Sequence, residues 1–184
     1  DDTLTDPQAN ADARVLFSYL CDRYGEQVLS GQFADRGLDS EEFRAIKEVT
    51  GKTPAILGLD MMDSTPSRVA LGARSDAVER AIEFHNAGGI VTFCWHWNSP
   101  TAYLKEGTDE NGSPRWWGGF YTRNTDFDIS KVMDGSDPEG KARMDEDIAG
   151  IAQQLLRLQE AGVPVLWRPL HEASGGWFWW SKGC

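Results

Sequence analysis

Arg168-Pro169-Leu170-His171-Glu172 places a cation, an imidazole and a carboxyl side by side, and Gly175-Gly176-Trp177-Phe178-Trp179-Trp180 follows directly. A carboxyl among indoles is poorly solvated, so its charged form is disfavoured and its pKa rises. A glutamic acid kept protonated in this way can act as a general acid near neutral pH. The same residues also fit a plain ion pair of Glu172 with Arg168. A second cluster is Cys94-Trp95-His96-Trp97-Asn98. Strand alternation there turns Trp95 and Trp97 away from the side on which His96 stands. His96 reads either as a core residue with one satisfied hydrogen bond or as a functional group. No H-E-x-x-H or paired-histidine spacing is present, so no metal site is expected. Pro114-Arg115-Trp116-Trp117-Gly118-Gly119-Phe120-Tyr121 could stack on sugar rings or could form a small satellite core. Asp109-Glu110-Asn111-Gly112 reads as a turn, because the later ligands of a calcium loop are missing. Asp63 and the Asp145-Glu146-Asp147 run read as solvated or capping charges, and Asp60 alone among the acids is well placed for a pocket.

These residues need elements to position them. Ala9 to Tyr24 has Val15, Leu16, Tyr19 and Leu20 at helical spacing. A short strand is expected over Val28–Gln32. Ser40 caps a helix that runs to about Thr50 and stops at Gly51. Pro54–Asp60 reads as a strand, Ser75–Asn86 as a helix closed by Gly88-Gly89, and Ile90–Trp97 as a strand. A long segment, Ser99–Ser136, precedes a helix over Asp137–Ala161 whose apolar face is Ile148, Ile151, Leu155 and Leu158, with Gly162 beyond its end. Val163–Leu170 is the fourth strand. Strands alternating with helices of this length imply βαβ units and a parallel sheet. Asp60, His96, His171 and Glu172 all fall where strands end, the side on which such sheets bind ligands. No glycine-rich phosphate fingerprint follows any strand, so no nucleotide and no other cofactor is implied.

Composition narrows the classes further. The 184 residues carry 18 Lys+Arg against 29 Asp+Glu, a formal charge of −11, which argues against a nucleic-acid partner. Apolar runs such as Gly88–Trp97 fall well short of the roughly 20 residues a membrane-spanning helix needs. The eight tryptophans point to a large core or to an aromatic binding surface. Three cysteines, Cys21, Cys94 and Cys184, leave at least one thiol without a partner in this sequence; Cys94 reads as a buried small hydrophobe, and the partner of Cys184 is expected beyond it.

The stretch Arg168–Glu172 with Gly175–Trp180 resembles the strand-four signature of glycoside hydrolase family 26, the endo-β-1,4-mannanases and their relatives. Val28–Gln32, Gly89–Asn98 and Gly119–Thr122 resemble that family in the same order, and the resemblance runs from about Asp12 to Cys184. It implies a (β/α)₈ barrel of TIM type and a retaining mechanism, with Glu172 as the acid/base. It implies substrate-binding roles for His96, His171 and Trp177, and more weakly for Trp117; Asp60 and Arg168 join them as strand-end candidates. The implied partner is a β-mannan polysaccharide, and the implied location is extracellular.

Only four βα units are present, whereas a complete barrel takes about 250 residues. The family's nucleophile is a second glutamate at the end of strand seven. Residues 1–184 are therefore expected to be the N-terminal half of one catalytic domain, inactive alone and in need of a C-terminal half to cover its open edges. The alternatives are a mixed-linkage β-1,3-1,4-glucanase of the same family and a non-catalytic carbohydrate-binding half barrel.

Overall fold

The four expected strands form one sheet in the order β1-β2-β3-β4. In the computed structural model, which describes residues 3–182, they are β1 (Gly31–Phe33), β2 (Ile56–Asp60), β3 (Ile90–Cys94) and β4 (Val165–Arg168). β1 and β2 run parallel, with Gly31 opposite Ile56 and Phe33 opposite Gly58. Between and around them lie α1 (Ala11–Arg23), α2 (Glu41–Thr50), α3 (Pro66–Val69), α4 (Ala77–Asn86), α5 (Ile129–Met133) and α6 (Pro138–Glu160). Two compact units make up the chain. One comprises the chain up to Leu59, Asp76–Phe93 and Leu156–Trp167; the other comprises Asp60–Ser75, Cys94–Leu155 and the chain from Arg168 on. Among the described residues no helix is long and apolar enough to cross a membrane.

Local signals account for most element ends. The Ser40 hydroxyl accepts a hydrogen bond from the Phe43 N–H at 3.2 Å, and α2 ends on Gly51 with φ at +71°. Gly89 after α4 has a different cause: a Cβ there would lie 2.1 Å from the Phe84 ring. That ring meets Phe43 edge-on at 5.5 Å and belongs to the core of the first unit with Leu57, Val91, Phe93 and Leu158.

Three expectations are corrected. β1 lies further along than Val28–Gln32: Val28 is 97% exposed, and pairing begins where the Ser30 carbonyl accepts from the Ile56 N–H. α1 has no buried residue despite its apolar spacing. Val15, Leu16 and Tyr19 instead line a cavity of about 490 Å³ with Ala55, Ile90 and Pro164. In α6 the buried stripe passes through Asp147, Ile151 and Leu158, and Ile148 is left 47% exposed.

Asp147 is thus no solvated charge. Its carboxyl accepts from the Ser67 N–H, the Ser67 hydroxyl and the Trp97 indole N–H, each at 2.9 Å. Trp97 stacks on Trp95 at 4.1 Å and meets Trp179 edge-on at 5.0 Å. The Trp95 N–H donates to the Thr65 hydroxyl and the Trp179 N–H to the Trp97 carbonyl, so all three buried indoles are satisfied. The segment 99–136 is ordered around this core rather than loose. The Ser99 hydroxyl bonds that of Thr125 at 2.7 Å, Phe127 packs edge-on to Trp179, and Asp109 closes the expected turn by accepting from the Asn111 and Ser113 N–H groups. Cys21 is exposed and Cys94 buried, neither of them in a disulfide among the described residues, while Cys184 lies outside those residues.

Candidate active site

Every residue singled out for chemistry falls in the second unit. β2 delivers Asp60 at its last position. One carboxylate oxygen accepts from the Met62 N–H at 2.9 Å and the His96 N–H at 3.0 Å; the other meets His96 Nδ1 at 2.5 Å. The strand ladder continues from the Met61 N–H to the Cys94 carbonyl, which keeps Asp60 in step with the residues after β3. His96 Nε2 then faces His171 Nε2 at 3.2 Å. Asp60, His96 and His171 form one hydrogen-bonded chain across three strand ends. Phe120 and Phe178 wall it in, with ring centroids 4.8 and 5.3 Å from that of His96. The Trp180 N–H fixes the His171 carbonyl at 3.0 Å.

The electrostatics of the chain follow from its contacts. Burial alone would raise the Asp60 carboxyl. The His96 side chain and the two backbone N–H groups outweigh burial and hold it below the usual carboxylate range. His171 is pushed down, first by burial and then by the adjacent His96. The Cys94 thiol is pushed up to about 12, by burial and then by the neighbouring Asp60 charge.

Glu172 comes next along the chain. Leu170 and Glu172 adopt φ values of +50° and +55°. Side chains other than glycine rarely take such a conformation, and each instance costs on the order of 1–3 kcal/mol; such strain gathers at functional sites. The Glu172 carboxyl is not enclosed by indoles as expected. It is exposed and accepts one hydrogen bond, from Trp177 Nε1 to Oε2 at 2.9 Å. Gly176, with φ at +74°, turns the chain back to make this contact. A Cβ on Gly175 would lie 2.3 Å from the Trp177 ring. The tryptophan-rich end therefore divides: Trp177 is 47% exposed beside Glu172, and Trp179 is core.

The remaining two candidates are Trp117 and Arg168. Trp117 is 54% exposed, and its carbonyl, with that of Trp116, is held by Arg68 Nη1. Arg168 is exposed at the end of β4, where its charge reaches Cys94 and His171. Arg68 itself was not legible. It is 7% exposed, paired with Asp63 at 2.6 Å, bonded to Asn98, and stacked over the Trp116 ring at 5.1 Å, and so it anchors the loop that presents Trp117. Phe120 and Phe178 could have been found only as aromatics close to the histidine motifs.

A parallel sheet of βα units with carboxyl, imidazole and indole groups at its strand ends defines a TIM-barrel type of chain, of which part of the barrel is present. The family model Glycosyl hydrolase family 26 matches residues 5–184, and the chain belongs to that family. It is 46% identical over 182 residues to a mannan endo-1,4-beta-mannosidase of Thermothelomyces thermophilus, covering 98% of this chain and 36% of the relative. It is 32% identical to the corresponding protein of Bacillus subtilis strain 168, covering 95% and 46%. The structure of the Podospora anserina GH26-CBM35 beta-(1,4)-mannanase matches with a TM-score of 0.88 at 48% identity, over 98% of this chain and 38% of that one. The chain spans about a third to a half of the length of these relatives.

Proposed function

We propose that the protein is a secreted endo-β-1,4-mannanase that hydrolyses mannan, glucomannan or galactomannan with retention of configuration, Glu172 being the general acid/base. The observation that carries this reading is the Glu172 carboxyl: exposed at the end of β4, set on a strained backbone and held by the Trp177 indole. Relationship to mannan endo-1,4-beta-mannosidases supports the substrate class. So does a related β-mannanase from a termite symbiont, 30% identical, whose structure holds a gluco-manno-oligosaccharide.

A retaining site uses two carboxyls about 5–5.5 Å apart. Glu172 is one. The nucleophile belongs to the second half of the barrel, outside residues 1–184, which form the N-terminal half of one catalytic domain. The indole N–H on Oε2 leaves Oε1 to carry the proton. Glu172 gives that proton to the leaving oxygen, then takes one from the water that opens the glycosyl-enzyme. His96, His171, Arg168, Trp117 and the open face of Trp177 contact the sugars. Asp60 acts through His96 as a positioning residue, since both its oxygens are already engaged.

The intact enzyme should release reducing ends from β-1,4-mannan, and residues 1–184 alone should release none. Preferential release from mixed-linkage β-glucan would overturn the substrate assignment, and turnover by the verified isolated half would overturn the mechanism. Trp177→Phe keeps a ring and removes the N–H. It should lower kcat on mannan about tenfold, the worth of one hydrogen bond of roughly 1–1.5 kcal/mol. Trp177→Ala should raise KM as well, because the stacking face is lost. An unchanged kcat in Trp177→Phe would show that the indole does not position Glu172.

A further inference from the structure

We propose that Cys94, His96 and His171 form a binding site for one borderline-soft divalent cation, Zn²⁺ or Cu²⁺. One ligand atom from each lies within 4.8 Å of the others. Two imidazoles and a thiolate are the donor set these ions favour over Mg²⁺ or Ca²⁺.

Four features make the cluster more than a coincidence of residue types. His96 Nδ1 is bonded to Asp60, so its proton sits there and the Nε2 lone pair points into the cluster. A carboxylate behind the histidine is the arrangement that orients metal-binding imidazoles. The two Nε2 atoms are 3.2 Å apart. Two nitrogens about 2.0–2.1 Å from one tetrahedral ion stand roughly 3.3 Å apart, so the cation fits with little movement of either ring. The His171 ring also has a nitrogen to spare: Nδ1 is buried and has no hydrogen-bond partner among the described residues. Moving the His171 proton from Nε2 to Nδ1 breaks only the histidine–histidine bond that the cation replaces. Finally, charge balances. The thiol proton leaves on binding, and the thiolate with the Asp60 carboxylate offsets the two positive charges. Sequence spacing conceals the site, because His171 reaches the other two only through the sheet.

Such a cation occupies the imidazoles that the proposed function assigns to sugar, so cation and mannan compete; this consequence alone rests on that function. Co²⁺ is the probe, added to the metal-free intact protein in the absence of sugar. One equivalent should bring up the visible bands of tetrahedral cobalt together with a near-ultraviolet thiolate-to-cobalt band. Cys94→Ser should lose the thiolate band, and His171→Gln should lose the tetrahedral bands. Asp60→Asn should weaken binding 10–100-fold, the usual effect of removing a carboxylate behind a liganding histidine. His85→Gln, at the remaining histidine, should change nothing. Absence of the thiolate band in the parent protein, or its persistence with unchanged affinity in Cys94→Ser and His171→Gln, overturns the site. If cobalt binds as expected but saturating mannotriose leaves its affinity unchanged, the cation site stands and the sugar contacts of His96 and His171 fall.

Discussion

Replacing Glu172 with alanine in the intact enzyme should slow hydrolysis of mannan by about 10²–10⁴, the usual worth of general acid–base help. A mannan chain leaves as a poor alkoxide and needs a proton. An aryl group of low pKa hardly does, so the glycosylation step of an activated aryl mannoside should be nearly spared. Its second step still lacks the base. The variant should therefore give a burst of aryl product and accumulate the glycosyl-enzyme. Azide needs no base to attack. It should speed turnover and yield a β-configured glycosyl azide, which only a retaining enzyme with its nucleophile intact can form. Loss of equal size on both substrates, with no burst and no azide rescue, would remove Glu172 from the acid/base role. The Trp177 contact sharpens the test. Trp177→Phe keeps the Glu172 carboxyl as acid and base and removes only the indole N–H that positions it, so it should slow mannan hydrolysis without any burst on the aryl mannoside.

The pieces of this site differ in how far the sequence exposes them, and the difference is physical. Ser40 and Gly51 act within one helical turn, so α2 can be read directly. Asp60, His96 and Glu172 stand out because apolar strands end at polar residues, and strand ends are where a parallel sheet presents its chemistry. The turn from Glu172 to Trp177 was also within reach, since Gly175-Gly176 marks a reversal of the chain. What lay beyond reach depends on partners distant in sequence. Apolar periodicity selects Ile148 for the buried face of α6, because it cannot see that Ser67 and Trp97 supply three donors to Asp147. A buried arginine is unexpected until Asp63, Asn98 and two loop carbonyls are found around it, and so nothing local in the sequence marks Arg68. The division of labour between Trp177 and Trp179 is likewise invisible in composition. It is decided by which way the backbone turns after Gly176.

Asp147→Ala should destabilise the protein by on the order of 3 kcal/mol. The substitution leaves the Trp97 N–H and two Ser67 donors without their acceptor in a buried place, and each buried unsatisfied group costs about 1–3 kcal/mol. Some relief comes from removing a carboxyl that burial disfavours. Asp147→Asn keeps one acceptor oxygen and should lose roughly half as much. pH separates the carboxyl from its hydrogen bonds. Burial raises the Asp147 pKa above 3.8, against the pull of Trp97 and Ser67. A group with a raised folded-state pKa contributes stability that is fully present below its unfolded value and is lost as pH rises through the folded one. Asparagine does not titrate. The stability advantage of the parent over Asp147→Asn should therefore be largest below pH 3.8 and shrink as the carboxyl ionises. Asp60, whose pKa is lowered, acts in the opposite direction, and its contribution falls away at the acid end. Because Asp60 is common to both proteins, it cancels in the comparison. Urea denaturation of parent and variant across the acid range measures the difference directly. A gap that widens toward neutral pH would mean that the three donors hold Asp147 ionised. A loss below about 0.5 kcal/mol in Asp147→Ala would place it among ordinary surface substitutions.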